Sequence, residues 1–246
     1  MILIYTKNFS NRVGKKVEEK RKEIKVTTDG PYIVSGAVPL FDMTIQCNNQ
    51  GIPGKWVKGK TYPTTETYSL CRCGQSQNKP FCDNTHIKVD FDGTEVSYNQ
   101  PFNEMAKTID GPALRLKDAE ILCASARFCH RGGDIWDQIP QPSNPQIKNN
   151  CIRNSFDCPS GRLVIIDKEI AQTLEPALEK SIAVINDPGV VDDIAPLWVR
   201  GGIPIYSAEG KPYEVRNRVT LCRCGKSTNK PFCDSAHYPE EDREVK

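Results

Sequence analysis

The chain has 246 residues, about one to two domains' worth, with 17 Gly and 18 Pro among them. A hydrophobic content of 38% suits two or three small modules, each held by something besides burial, better than one large core. A formal charge of +2 excludes a strongly electrostatic nucleic-acid binder, and no uncharged apolar run reaches the ~18–20 residues of a membrane span.

In chain order, the apolar start Met1–Tyr5 lacks both the charged region and the length of a secretion signal. The chain is therefore expected in the cytoplasm, where thiols stay reduced. Residues 12–26 are dense in Lys, Arg and Glu and read as a solvated run. PYIVSGAVPLF at 31–41 predicts short strands punctuated by Gly and Pro. LCRCGQSQNKPFCDNTH follows at 70–86. Both segments return near the end, as PLWVRGGIPIY at 196–206 and LCRCGKSTNKPFCDSAH at 221–237. The longer phrase differs between copies at four positions only, at an offset of 151. Between strand segment and motif the first copy carries fourteen extra residues, including Pro53, Gly54 and Trp56. Such a repeat organises the whole chain. It predicts three parts: 1–95 with the first copy, 96–190 with a middle cysteine group, and 191–246 with the second copy. Pro101 and PQPSNP at 140–145 read as loop.

Eleven cysteines against three histidines is the dominant signal. The odd count and tight grouping argue for metal ligation over a disulfide framework. The groups are Cys71, Cys73, Cys82; Cys123, Cys129, Cys151, Cys158; and Cys222, Cys224, Cys233. Cys47 stands alone and reads as a buried, inert thiol.

In extended chain, residues i and i+2 face one way, so Cys71 and Cys73 can grip one metal together. Pro80 stands where a helix can begin, which puts Cys82 and His86 on one face of its first turn. Asp83 then sits near the helix start, where a carboxylate accepts unpaired backbone N–H bonds. Cys222, Cys224, Pro231, Cys233, Asp234 and His237 read the same way. Three thiolates and one imidazole suit either a tetrahedral zinc ion or a [2Fe–2S] cluster. Arg72 and Arg223 read as solvent-facing, Lys79 and Lys230 as surface residues, and Phe81 and Phe232 as small-core anchors.

Both copies resemble the CDGSH iron–sulfur (NEET) family, whose pattern is C-x-C-x2-[S/T]-x3-P-x-C-D-G-[S/A/T]-H. Every fixed position is met except the glycine after Cys-Asp, which is Asn84 in the first copy and Ser235 in the second. Asn tolerates left-handed backbone better than Ser. The resemblance implies two [2Fe–2S] clusters, on Cys71, Cys73, Cys82, His86 and on Cys222, Cys224, Cys233, His237. It implies that a chain with two motifs folds as an intramolecular pseudo-dimer, where single-motif members dimerise.

In the middle group, LCASARFCHRG at 122–132 and CIRNSFDCPSGRL at 151–163 resemble a divergent single-cluster ferredoxin. Cys123 and Cys129 match the outer pair of its C-x2-C-x2-C run, Ala126 stands at the middle position, and Cys158-Pro159 matches the distant ligand. Three thiolates imply a [3Fe–4S] cluster; four would hold [4Fe–4S]. Cys151 is the candidate fourth, but seven residues before Cys158 in the helix the family implies, it stands ~10 Å away along the axis. His130 reads as a cap or surface residue, and a zinc site is the alternative for the group.

The expectation is a β-rich α+β protein: two NEET-type β modules in an intramolecular pseudo-dimer plus a small ferredoxin-like cluster domain. With no catalytic triad, phosphate loop or nucleotide fingerprint in view, it is expected to be an electron-transfer or redox-sensing protein and not an enzyme. Its expected partners are redox proteins or apo-proteins that accept clusters, without nucleic acid or membrane, and it is expected to be a monomer. Two other readings stand beside this: a cluster storage or delivery protein, and a zinc-binding structural or interaction module.

Overall fold

The computed structural model describes residues 21–239 except 98, 142–143 and 189–193. The start of the chain and most of the charged run at 12–26 therefore lie outside the described residues. Among the described residues the protein is β-rich, with three sheets and few helices.

The first repeat supplies β1 (Glu23–Val26), β2 (Tyr32–Ser35), β3 (Leu40–Cys47), β4 (Pro53–Tyr62), β5 (Thr67–Leu70) and a single helical turn, α1 (Thr85–Lys88). After a second short turn, α2 (Phe102–Met105), the middle region folds as β6 (Lys107–Asp110), β7 (Leu114–Asp118), α3 (Ile135–Gln138), α4 (Pro145–Asp157), β8 (Leu163–Asp167) and β9 (Gln172–Leu174). The last part adds β10 (Ser181–Asn186), β11 (Leu197–Arg200), β12 (Ile205–Tyr206) and β13 (Arg218–Leu221).

The two repeats exchange strands. One sheet runs β12-β1-β2-β5 and the other β13-β11-β10-β3-β4. In each, a strand of the other copy lies parallel at one side: β12 on β1, with Ile24 opposite Ile205, and β3 on β10, with Ile182 opposite Leu40. Strand β10 lies within residues 96–190 yet is the centre of the second sheet. Its sequence SIAVIN is buried through its first five residues, the mark of a strand covered on both faces.

The period of two decides what each face meets. Ile182 and Val184 of β10, Leu197 and Val199 of β11, and Leu40 of β3 point into a core shared with Ile24, Val26, Tyr32, Val34 and Leu70 of the first sheet. Ala183, Ile185, Trp198, Phe41, Met43 and Ile45 point the other way, onto Ala126 and Phe128 of the middle region. The second sheet is thus sandwiched. The outer positions of the first sheet, such as Lys25 and Ile33, are exposed or half-buried.

The middle region is an antiparallel sheet, β6-β7-β8-β9, with α4 laid across it. Asn144 caps α4 by accepting from the backbone N–H groups of Gln146 and Ile147, and Pro145 opens its first turn. The PQPSNP segment read as loop ends at this cap.

The fourteen extra residues of the first copy become the β3–β4 hairpin, which extends the second sheet beyond β3. The hairpin also holds the middle region. Trp56 Nε1 donates to the Asp157 carbonyl at 3.0 Å, and its ring lies 4.9 Å from Phe128 and 5.1 Å from Trp198. The Gly54 carbonyl accepts from Arg131 at 2.8 Å and from Arg153 at 3.0 Å.

Candidate metal centres

Each repeated motif builds two ligand pairs. The Cys71 and Cys73 sulfurs lie 3.8 Å apart, and Cys82 Sγ lies 3.4 Å from His86 Nδ1. In the second copy the separations are 3.7 Å for Cys222 and Cys224 and 3.5 Å for Cys233 and His237. Backbone pairing brings the pairs together. Cys71 N donates to Pro80 O at 2.8 Å and Cys82 N to Ser69 O at 3.0 Å, so Leu70 and Phe81 form an antiparallel bridge. Cys222, Pro231, Cys233, Thr220, Leu221 and Phe232 repeat this.

That bridge corrects one expectation. Pro80 and Pro231 do not start helices; they sit in extended turns, and α1 begins only at Thr85, with no counterpart helix in the second copy. A strand partner was available and claimed the segment before a helix could form. The aspartates act close to the manner foreseen. Asp83 accepts from Gln77 N at 2.8 Å and Thr85 N at 3.0 Å, and the Thr85 side chain together with these backbone bonds holds its carboxyl well below the usual carboxylate range. Asp234 accepts from Thr228 N at 2.7 Å, Thr228 Oγ1 at 2.8 Å and Ala236 N at 3.1 Å. Each carboxylate therefore ties the loop after C-x-C to the turn that carries the histidine.

The two C-x-C loops touch. A Cβ on Gly74 would lie 2.6 Å from the Cys224 carbonyl oxygen, and one on Gly225 would lie 2.8 Å from that of Cys73; both glycines also have positive φ. Tyr32 adds a link across the copies, donating to the carbonyls of Cys222 and Pro231.

Arg72 and Arg223 depart from the expectation of solvent exposure, being 1% and 3% exposed. They alternate with the cysteines, so when both sulfurs face the site the arginine faces the other way, and here that direction is interior. Arg72 donates to the carbonyls of Thr27 and Gly93, and Arg223 to that of Ala195. Two buried cations thus flank the cysteine sites, a charge pattern that suits an anionic metal group. Phe232 lies in the shared core and Phe81 packs against it, as anchors should.

Burial dominates the thiols. It pushes Cys73 and Cys82 up, and Cys233 well above the usual thiol range. The hydrogen-bonded pair Cys222 and Cys224 splits, the first raised and the second lowered. Burial also lowers His237 to about 4, leaving a neutral imidazole able to bind metal.

The middle group is arranged differently. Cys123 follows a 3₁₀ turn (Glu120–Leu122), Cys129 sits inside another (Phe128–His130), and Cys158 caps α4. All three line one pocket together with Ala126, Ser125, Ser160 and Arg162. Arg162 makes a bidentate pair with Asp118 at 2.5 and 2.8 Å and also meets the Cys123 thiol. Gly161, with positive φ, lets this loop approach Arg218, whose carbonyl oxygen would lie 2.8 Å from an added Cβ. His130 pairs with Asp134 at 2.5 Å.

Cys151 is the correction here. It is 1% exposed, lies in the core beneath α4, and reaches Gln138 Oε1 at 3.5 Å, in a different pocket from the other three. Burial raises it to about 11. It faces the sheet because helix periodicity turns it there, so it is a packing residue and no candidate ligand. Cys47, expected to be buried, is half-buried at the end of β3.

The sequence reading missed the residues that join the middle group to the second repeat. Ser125 Oγ donates to Ser235 Oγ at 2.7 Å, and Ser235 Oγ donates to the Cys123 carbonyl at 2.8 Å. Arg127 forms a bidentate pair with Asp187, both bonds 2.9 Å, and each also bonds the Tyr238 hydroxyl. Asn229 donates to the Ile121 carbonyl, Arg218 to that of Cys158, and Arg216 to that of Ser160. The departure of Ser235 from the family's glycine was the one available signal. Among the described residues, no group of three or more His, Cys, Asp or Glu side chains closes on a point where one metal ion could sit.

Residues 29–87 and 195–238 match the family described as iron-binding zinc finger, CDGSH type, and residues 109–168 match the divergent 4Fe-4S mono-cluster family. No curated protein and no solved structure matches the chain.

Proposed function

We propose that this chain, which carries two CDGSH-type iron-binding domains around a divergent 4Fe-4S domain, is an electron-transfer protein holding three iron–sulfur clusters. The observation that carries this reading is the two-plus-two arrangement of each repeated site. Each site presents two donor pairs, one Cys–Cys and one Cys–His. A [2Fe–2S] cluster takes two protein ligands on each iron, so Cys71 with Cys73 would hold one iron and Cys82 with His86 the other. Cys222, Cys224, Cys233 and His237 fit a second cluster in the same way. When bound, such clusters supply reversible one-electron chemistry at potentials set by ligand type and surroundings.

Reciprocal strand exchange and the Gly74–Cys224 and Gly225–Cys73 contacts support a pseudo-dimer within one chain. In the middle, Cys123, Cys129 and Cys158 line one pocket with Ala126 at the position of the missing cysteine, which supports [3Fe–4S] over [4Fe–4S]. The chain's own residues bury and orient these ligands, and we assign no enzymatic activity. Redox proteins of a reducing compartment are the proposed partners.

Iron and sulfide content of anaerobically purified protein, with visible and electron paramagnetic resonance spectra, tests the reading. About seven irons and eight sulfides per chain are expected, with one paramagnetic centre in the oxidised protein that survives Cys151→Ala. Colourless protein holding zinc overturns it. The exposure of Cys82 relative to the buried Cys233 also favours a second reading, delivery of the first cluster to an apo-protein. Faster loss of iron to apo-ferredoxin than exchange of electrons with it would select delivery.

A further inference from the structure

We propose that Ser235 and Ser125 form a bridge that couples the middle site to the second CDGSH site for direct one-electron exchange, leaving the first site as the port to outside partners. The inference rests on the iron–sulfur reading above.

Ser235 has φ 70, in the left-handed region where a serine is strained and where the family pattern places glycine. Its hydroxyl is committed: it donates to the carbonyl of Cys123, a ligand candidate of the middle site, and accepts from Ser125, two residues further along the same loop. Ser235 is itself two residues from Cys233, a ligand candidate of the second site. A short covalent stretch and one hydrogen bond therefore connect the two ligand sets, in a spot where both serines are buried. The equivalent first-site residue, Asn84, has the same backbone conformation at φ 67 but is exposed. Equal backbone demands met by different side chains point to a role for the serine beyond the turn.

The step is the transfer of one electron, with no bond made or broken and no proton moved. A one-electron carrier protein supplies it at one end and another removes it at the other. The C-x-C loops in contact at Gly74 and Gly225 continue the path from the second site to the first.

The test uses the full-length, cluster-loaded protein and its Ser235→Gly, Ser235→Asn and Ser125→Ala variants, with Asn84→Gly as control. Iron content and thermal midpoint come first, then the magnetic interaction between middle and second centres in the reduced protein, then intramolecular electron exchange after pulsed one-electron reduction. The proposal expects Ser235→Gly and Ser235→Asn to keep their iron and the through-space magnetic interaction, and to slow exchange several-fold. Ser125→Ala should have a smaller effect in the same direction, and Asn84→Gly none. Unchanged exchange in iron-replete Ser235→Gly and Ser235→Asn overturns it, as does parent protein with no magnetic interaction. Parent protein that holds zinc fails the underlying reading instead, and its lack of colour shows that before any variant is made.

Discussion

The two repeated sites place their candidate ligands alike to within 0.1 Å, 3.8 and 3.4 Å in one against 3.7 and 3.5 Å in the other, yet live in different surroundings. Around the first, Asp83 and Asn84 are exposed and Ile87 stands 73% exposed beside His86. Around the second, Cys233, Ser235, Ala236 and Tyr238 are all buried. Ligand geometry is thus a local property, written by the motif and its bridge of backbone hydrogen bonds. Burial is a property of position: the second sheet has the middle region packed on its outer face, and the first sheet does not.

The largest break in this asymmetry should come from Arg127→Ala. It leaves the Asp187 carboxylate, 3% exposed, without its cation, at a cost of about 3 kcal/mol. Chemical denaturation should show the loss, and iron should then leave the second site as readily as the first. Trp56→Ala attacks the same docking from the hairpin side. A half-buried aromatic holding one carbonyl and two ring contacts should cost about 2 kcal/mol, below the range for fully buried rings, read from the denaturation midpoint. Equal iron loss from both sites in the parent protein would erase the comparison itself.

His86→Cys and His237→Cys sharpen it. Replacing imidazole by thiolate adds negative charge at the metal, so each variant should lower the potential of its own site by about 100 mV or more. The drop should be larger at the buried second site, where water screens less. Potentiometric titration of each variant checks this, and no change in either would remove histidine from the ligand set. The smallest effect belongs to Asn84→Gly. The position has left-handed backbone and an exposed side chain, so stability should move by no more than ~0.5 kcal/mol in a thermal melt.

The repeat and the iron-binding families it belongs with were legible because they are carried by residue identity and spacing, whereas the part drawn at 96–190 took in β10, the centre of the second sheet. Strand exchange was not, because Leu40 to Ile45 alternate as any half-buried strand would, and nothing in that pattern names the partner across the pairing. Pro80 misled for a related reason: its chemistry permits a helix start, but Ser69 and Leu70 offered a competing strand edge. Arg72 and Arg223 read as surface residues because charge argues for water, and the carbonyls of Thr27, Gly93 and Ala195 that receive them lie far off in sequence. Cys151 shows the reverse: the helical spacing that placed it far from Cys158 along the axis was enough to remove it from the site.

The exchanged strands also dictate when this protein can mature. The first sheet is complete only when Ile205 pairs with Ile24, and Tyr32 reaches its acceptors only at Cys222 and Pro231. During synthesis the first motif therefore leaves the ribosome with neither its strand partner nor the facing loop at Gly225, and waits for more than a hundred further residues. Such long-range pairings form slowly and leave edges open meanwhile. Cysteines 71, 73 and 82 pass that interval as accessible thiols, free to meet metal before the chain around them has closed. A stable first site therefore requires the later strand, and a truncation before residue 205 should yield none.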